Sequence, residues 1–352
     1  MQIDSFKQIG VKKIIQFIAV VVAACLLYIS AVYFFVFIPS FTRHDPTPKD
    51  NMKFFKTEEN FSKNATDTIW LKEQPLEKIS ITSNDGLNLV AFTLPAETAV
   101  GTVVLVHGYH SEPFREYAVL ARMYHNLGYN IVMPYHRTHG ESEGKYITFG
   151  IKERFDILEW VKKANSMYGS DKPLFIHGIS MGCATSVMTL GLDLPTNVKG
   201  VIADCGFTSP HEIIWKVLKK DMKIPTAPLI LRLGGFMTER LAGFNMYEYS
   251  TTEALSVNLA RDEQIPVLFI HGDADEFVPI EMSERNFTQC LASFTVDASG
   301  KTSIVANPQA EKYSFFKVKD APHAIENLID ETGYQEKVKE FLKKAENYKF
   351  AN

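Results

Sequence analysis

Residues 173–185 read PLFIHGISMGCAT, and this stretch places one serine between two glycines where an apolar run gives way to small residues. The apolar run predicts a buried strand, and the residues after Ser180 predict a helix. A turn this sharp strains the backbone at the serine, and only small neighbours such as Gly178 and Gly182 let strand and helix pack closely. The G-x-S-x-G spacing also occurs in ordinary tight turns, so its meaning depends on the rest of the chain.

Short apolar runs alternate with longer helical patterns on both sides of this serine. Four of these runs are GTVVLVHG (101–108), YNIVMPYH (129–136), VKGVIADCG (198–206) and IPVLFIHG (265–272). Strands that are apolar throughout belong to a parallel sheet covered on both faces, and their alternation with helices indicates an α/β fold. In such sheets, functional sites form at the carboxyl ends of the strands.

The chain has 352 residues, of which 46% are hydrophobic, and a formal net charge of −4. This length supports one large domain with a full core and an appendage. A mild acidic excess leaves no basic surface for nucleic-acid phosphates, so nucleic acid is not an expected partner. The four cysteines are irregularly spaced and indicate no disulfide framework.

The N-terminal region carries no charged residue between Lys13 and Arg43. This apolar stretch exceeds the roughly 20 residues that a spanning helix needs, so residues 14–41 are predicted to be an uncleaved transmembrane anchor after a short cytoplasmic tail, 1–13. VVAAC at 21–25 resembles a loose lipoprotein box and leaves lipidation of Cys25 as an alternative. A slight excess of lysine before the helix favours an extracytoplasmic main domain on a single-pass protein of the cell membrane.

The sequence after the anchor divides into three parts. Residues 42–77 mix charge, proline and aromatics and are predicted to be a juxtamembrane connector with one short helix. The folded domain is predicted for 78–352, and it opens with two β-rich runs joined around Asn84-Asp85-Gly86 as a hairpin. The alternation of strands and helices breaks between Asp204 and Ile265, which predicts a helical cap inserted at about 208–262.

Two further polar residues follow predicted strands downstream of the serine. HGDADEFVP (271–279) offers Asp275, and DAPHAIENL (320–328) offers His323. With LVHGYHSE, RTHGESEG and HGISMG, these motifs resemble the α/β-hydrolase superfamily, in particular its branch of monoacylglycerol-lipase-like esterases and serine aminopeptidases with membrane-anchored bacterial members. The resemblance covers about residues 78–347 and implies a mostly parallel central sheet with helices on both faces.

The resemblance also implies a set of catalytic roles. Ser180 would be the nucleophile, His323 the general base, and Asp275 the carboxylate that fixes the imidazole tautomer. The backbone N–H groups of Met181 and Tyr109 would form the oxyanion hole, and no metal or organic cofactor is implied.

Some positions leave alternatives open. Asp204 follows the preceding strand, where some lipases carry their acid, and could replace Asp275. Cys183 and Pro322 stand where the family often has glycine. Four histidines could form a metal site, but their spacing matches no known ligand motif, so packing is their expected role. These are His107, His110, His136 and His139.

Three functions are compatible with these observations. The apolar cap and the anchor favour hydrolysis of a lipid-like or other apolar ester. A peptidase or amidase of the same fold would want an acidic group for a substrate amine, for which Glu141, Glu143 or Asp204 could serve. A catalytically silent binding protein is the third, because a fold alone does not establish activity.

Overall fold

An eight-stranded sheet forms the centre of the molecule. The computed structural model describes residues 54–296 and 302–348, together with 12–17, 19–20, 23, 27, 30 and 36–37. Its strands are β1 (Glu77–Thr82), β2 (Asn88–Leu94), β3 (Gly101–Val106), β4 (Tyr129–Pro134), β5 (Leu174–Ile179), β6 (Val198–Asp204), β7 (Val267–Gly272), β8 (Ala292–Val296), β9 (Thr302–Ala306) and β10 (Tyr313–Val318). Its α-helices are α1 (Glu58–Glu73), α2 (Pro113–Asn126), α3 (Glu153–Tyr168), α4 (Met181–Thr189), α5 (Pro210–Lys216), α6 (Ala227–Met237), α7 (Thr251–Leu259), α8 (Ile280–Leu291), α9 (Glu326–Ile329) and α10 (Glu331–Glu346).

The strand order in this sheet is β1-β2-β4-β3-β5-β6-β7-β10, and β8 pairs separately with β9. β2 is antiparallel to both of its neighbours, β1 and β4, whereas the other neighbouring pairs of the sheet are parallel. A mostly parallel sheet with helices between its strands confirms the predicted α/β class. The predicted hairpin is also confirmed, because β1 pairs with β2 and Gly86 in the turn has a φ of 87°.

Both faces of the sheet are covered, which explains the continuous apolar runs. Along β3, Val103 and Leu105 join the core on one face, and Val104 and Val106 join the core on the other. Helices α1, α2 and α10 contribute to the first core, and α3, α4 and α7 contribute to the second. Each fully buried side chain of this kind stabilises the fold by about 1.5–3 kcal/mol.

The chain between β6 and β7 supplies a cap over one edge of the sheet. Helices α5 and α6 each end in a π-helical turn, at Val217–Asp221 and Thr238–Ala242. Their apolar residues form one cluster with Met181 and Phe207 of the main body. Helix α7 falls inside the predicted insertion, 208–262, yet it packs against α4 and α8 in the helical layer of the sheet. The cap itself therefore consists of α5 and α6.

Helix α1 lies within the predicted connector, 42–77, and packs against α2. Its Leu71 is completely buried in the core of the main domain. The folded part therefore begins before residue 78, the predicted boundary. The prediction was wrong because this helix is weakly amphipathic and buries only a few side chains, without a clear period.

The predicted transmembrane anchor, 14–41, and the tail, 1–13, lie mostly outside the described residues. Among the residues that are described, no helix has both the length and the apolarity needed to cross a bilayer. Val36 and Phe37 belong to the described residues, and Phe37 is buried against the main domain.

The glycines around Ser180 lie where strand and helix come closest. A Cβ added at Gly178 would be 2.2 Å from the carbonyl oxygen of Gly182. A Cβ added at Gly182 would be 1.7 Å from the carbonyl oxygen of Val106, in the neighbouring strand β3. Both distances are far below a van der Waals contact, so the backbone path requires glycine at both positions.

We expect Gly182→Ala to lower the free energy of unfolding by about 3 kcal/mol or more, the upper end of overpacking costs, because a backbone oxygen cannot move aside as a side chain can. Gly234→Ala in α6 is the control, since its Cβ would meet only Met246 Cε, at 3.7 Å. That control should keep or slightly raise the stability, because alanine favours helices. Urea unfolding followed by circular dichroism measures both, and equal stabilities would contradict the steric argument.

Candidate active site

Ser180 occupies the turn between β5 and α4. Its backbone has φ 56° and ψ −117°, in a region that a residue with a side chain rarely adopts. The turn is held because the Ser180 N–H donates to the carbonyl oxygen of Asp204, 2.9 Å away. The side chain is directed away from the sheet and lines a cavity under the cap.

The structure brings the three predicted triad residues together. His323, in the loop after β10, has its Nε2 atom 2.8 Å from Ser180 Oγ. Its Nδ1 atom is 2.6 Å from Oδ2 of Asp275, which follows β7. A carboxylate only accepts hydrogen bonds, so Nδ1 carries the proton and Nε2 is left to accept the Ser180 hydroxyl proton.

The side chain of Asp275 is buried and receives four hydrogen bonds. Its Oδ1 accepts from the backbone N–H groups of Phe277 and Val278, at 2.8 and 2.9 Å, and its Oδ2 accepts from His271 and His323. Burial by itself would raise the pKa of Asp275, but the neighbouring histidines and their hydrogen bonds outweigh it and hold this pKa well below its usual range. Asp275 is therefore ionised beside the imidazole.

His271 is a functional candidate that the sequence reasoning missed. Its Nε2 lies 3.1 Å from Asp275 Oδ2, and its Nδ1 lies 2.7 Å from Ser283 Oγ. Since both a carboxylate and a carbonyl only accept, His271 Nε2–H is shared between Asp275 Oδ2 and the carbonyl oxygen of Val278, which is 2.9 Å away. It thereby positions the carboxylate. The available signal was its place four residues before Asp275 in HGDADEFVP.

Asp204, the alternative acid, has a different partner. Its Oδ2 accepts from the Tyr334 hydroxyl at 2.6 Å, and Tyr334 also contacts the buried His177 ring. Burial raises the pKa of Asp204 to about 7. The histidine of the site is thus hydrogen-bonded to Asp275 and not to Asp204.

The predicted oxyanion residues Tyr109 and Met181 line the same cavity as Ser180. Among the hydrogen bonds of the described residues, neither backbone N–H has an acceptor. The loop that carries Tyr109 is held by Glu116, which the sequence analysis did not identify: its carboxyl accepts from the Gly108 N–H at 2.6 Å. Burial raises the pKa of Glu116 to about 8.

The histidines of the neighbouring loops serve packing. His107 Nε2 accepts from the backbone N–H of His136 at 3.0 Å, and their ring centroids are 4.6 Å apart. The His139 ring lies 4.9 Å from that of His107 and accepts from the backbone N–H of His110. These contacts join the loop after β3 to the loop after β4.

Two groups of side chains in the described part of the chain come close enough to share a metal ion. One consists of Cys205, Asp275 and His323, and the other of Asp204, Cys205 and Glu326. Burial raises the pKa values of Cys205, Asp204 and Glu326, which favours their protonated forms and disfavours ligation. The first group shares two residues with the hydrogen-bonded chain that ends at Ser180.

The local departures from the family pattern are accommodated. Cys183 fits against Gly206, where a Cβ would lie 2.2 Å from its sulfur. The thiol is buried, and burial raises its pKa well above the usual value. Around His323, residues Asp320 and Ala324 have φ values of 58° and 63°, so the loop turns sharply on both sides of the histidine.

The cavity beside Ser180 has a volume of about 500 Å³ and an apolar wall. Its lining side chains come from the main body, from the cap and from Val36 of the N-terminal region. They are Val36, Tyr109, Phe149, Ser180, Met181, Phe207, Ile213, Ile214, Val217, Leu218, Met222, Phe277 and Val278.

Comparison with known proteins places this geometry in context. Residues 97–236 match the family model described as "Serine aminopeptidase, S33". The uncharacterized protein YqkD of Bacillus subtilis is 26% identical over 235 residues, which cover 65% of this chain and 75% of YqkD. The uncharacterized protein YfhR of Escherichia coli K12 is 24% identical over 217 residues, which cover 60% of this chain and 67% of YfhR.

Solved structures show the same architecture. Esterase Pf2001 of Pyrococcus furiosus matches with a TM-score of 0.59 and 20% identity, over 88% of this chain and 97% of that chain. The α/β hydrolase GrgF of Penicillium sp. sh18 matches with a TM-score of 0.52 and 15% identity, over 78% of this chain and 100% of that chain. At these identities the likeness concerns the fold, and it confirms the predicted α/β-hydrolase fold.

Glu116 predicts a specific dependence of stability on pH. The folded chain holds the Glu116 proton up to a pKa of about 8, whereas an unperturbed glutamate releases it near 4.5. Between these values the folded state binds more protons, so a rise in pH favours unfolding, by up to about 1.4 kcal/mol per pH unit. Glu116→Gln keeps an acceptor for Gly108 and cannot titrate.

We therefore expect the stability of Glu116→Gln relative to the wild type to increase steadily between pH 5 and pH 8. Urea unfolding of both proteins across this range measures the difference, and other titrating groups cancel because both proteins share them. Parallel stability curves would show that Glu116 is ionised in the folded state.

Proposed function

We propose that this chain, which has the α/β-hydrolase fold, is a serine esterase for carboxylic esters with apolar acyl groups. One observation carries the proposal. The hydrogen-bonded chain Ser180–His323–Asp275 ends in a hydroxyl that faces an apolar cavity of about 500 Å³.

The proposed reaction proceeds through an acyl-serine. As Ser180 Oγ attacks the ester carbonyl carbon, His323 Nε2 takes the hydroxyl proton, and the N–H groups of Tyr109 and Met181 stabilise the oxyanion. The tetrahedral intermediate collapses, and His323 gives the proton to the departing alcohol. Water then attacks the acyl-serine while His323 takes its proton, and His323 returns that proton to Ser180 Oγ as the acyl–oxygen bond breaks and the acid leaves. Asp275 stabilises the imidazolium in both halves of the reaction.

The cavity wall supports an apolar acyl group as the part of the substrate that is recognised. Four lining residues, Ile213, Ile214, Val217 and Leu218, come from helix α5 of the cap and its π-helical turn. Each methylene that enters such a pocket gains about 0.8 kcal/mol, or roughly fourfold in affinity. A lipid-like ester of moderate chain length fits this description.

A peptidase is the second candidate, because the matching family model is named for a serine aminopeptidase. Such an enzyme would need an anionic side chain in the cavity to bind the ammonium group of the substrate. The candidates for that role lie elsewhere: Glu141 pairs with Lys78, Glu143 accepts from the Asn88 N–H, and Asp204 binds Tyr334. No acidic side chain is among the described residues that line the cavity, which favours the ester.

We further propose that the apolar region within residues 14–41 anchors the protein in the cell membrane as a single pass, with the catalytic domain on the extracytoplasmic side. Val36 and Phe37, at the end of this region, pack on that domain. The uncharged run from residue 14 to residue 42 supports the anchor, and the lysines before it support the orientation. The expected result is that the full chain stays in the membrane pellet after alkaline extraction and that a C-terminal tag is digested on intact cells. Release by alkali would contradict the anchor, and a protected tag would contradict the orientation.

A fluorophosphonate probe should label the wild-type protein, and Ser180→Ala should remove the label, because the probe reacts with an activated serine. Ser186→Ala is the control: this serine is also buried, and its hydroxyl donates to the Gly182 carbonyl in the same helix. The control should label at the wild-type rate. A folded wild type that stays unlabelled would instead favour a silent binding protein.

Side-by-side turnover of acyl esters and aminoacyl amides separates the two enzymatic candidates. For p-nitrophenyl esters, kcat/KM should rise with acyl length by up to about fourfold per methylene and level off once the cavity is filled. Aminoacyl amides should be poorer substrates, because no carboxylate faces their ammonium group. Faster cleavage of the amides, with no length dependence for the esters, would favour the peptidase.

A further inference from the structure

We propose that Val36 and Phe37, at the end of the N-terminal apolar region, are positioning residues of the active site. They hold the oxyanion residue Tyr109 in place and close one wall of the acyl cavity. This inference rests on the proposed esterase function and adds a positioning element that lies outside the region matched by the family model, 97–236.

The first contact is a hydrogen bond to the oxyanion loop. The phenol of Tyr109 donates to the carbonyl oxygen of Val36 at 3.0 Å, across 73 residues of sequence. The Val36 side chain lines the cavity together with Tyr109 and Ser180. Val36, far upstream in the sequence, thus holds the side chain of Tyr109, the residue whose backbone N–H is the proposed oxyanion donor.

The second contact is aromatic. Phe37 is 3% exposed, and its ring lies edge-on to Phe149 at 5.7 Å and to Phe244 at 5.9 Å between centroids. Phe149 in turn stacks on Tyr109, with centroids 5.1 Å apart. The carbonyl oxygen of Phe37 accepts from the Ile147 N–H at 2.9 Å. Phe37 therefore connects the loop before α3 and the chain after α6 to the oxyanion loop.

These contacts have a consequence for catalysis. The backbone N–H of Tyr109 helps only if it is already aimed at the developing charge, because a preset donor costs no reorganisation during the reaction. Without Val36 and Phe37, the Tyr109 hydroxyl loses its acceptor, and the rings of Phe149 and Phe244 lose a neighbour. We expect the oxyanion donor to become less well aimed and the cavity to open on that side.

Full-length variants test this positioning role. Tyr109→Phe keeps the ring and the backbone N–H but removes the bond to Val36, and kcat for esters should fall by about 5- to 10-fold, the equivalent of one neutral hydrogen bond. Phe37→Ala should lower kcat by about tenfold or more and flatten the dependence on acyl length. If Phe37→Ala does not fold, Phe37→Leu keeps most of the volume and should show the same changes in smaller degree.

Phe341→Ala is the matched control. Phe341 is 6% exposed in α10 and packs on Phe175, so its loss destabilises the fold but should leave kcat and the length profile unchanged. If the wild type hydrolyses esters while Tyr109→Phe and the Phe37 variants match it in kcat and length profile, the positioning role is overturned and the esterase stands. If the wild type hydrolyses no ester, the proposed function itself fails.

Discussion

The contact between Gly182 and strand β3 is the constraint on which the rest of the site depends. The helix that begins after Ser180 lies so close to the Val106 carbonyl that no side chain fits between them. Because α4 is held there, the serine is turned outward in a strained conformation, and the loop that follows β3 passes beside it. This backbone contact thus holds the proposed nucleophile and the proposed oxyanion loop next to each other before any substrate binds.

A second constraint is the placement of charge among the buried acids. Burial disfavours the ionised form of every carboxyl, so the neighbouring charges and hydrogen-bond donors around each one decide its state. Asp275 has four donors and a pKa below its usual range, whereas the pKa values of Asp204, Glu116 and Glu326 are raised. The negative charge of the site is therefore placed on the carboxylate that contacts His323, where the proposed reaction would form an imidazolium.

Much of this arrangement could be predicted from the sequence, because it depends on local patterns, namely apolar strands and the polar residues that follow them. Ser180 and His323 follow apolar strands, and carboxyl ends of parallel strands meet at one edge, so their convergence could be inferred. The resemblance to the family favoured Asp275 over Asp204, but position along the strands could not decide between them, since Asp204 ends β6 and Asp275 lies three residues after the end of β7. The contact of Phe37 with the cavity region lay beyond prediction too, because it joins distant parts of the chain through packing that leaves no periodic pattern.

Cys183 lies one turn after Ser180, but its sulfur packs against Gly206 in the core and is not among the side chains that line the cavity. A thiolate is a stronger nucleophile than a hydroxyl, but a protonated thiol is not. Burial against Gly206 raises the pKa of the Cys183 thiol and so favours its protonated form. The hydroxyl, by contrast, has a base 2.8 Å away. The surroundings of the two side chains thus make the Ser180 oxygen the proposed nucleophile. An oxidant that inactivates thiol-dependent enzymes by modifying a thiolate should therefore not act on Cys183.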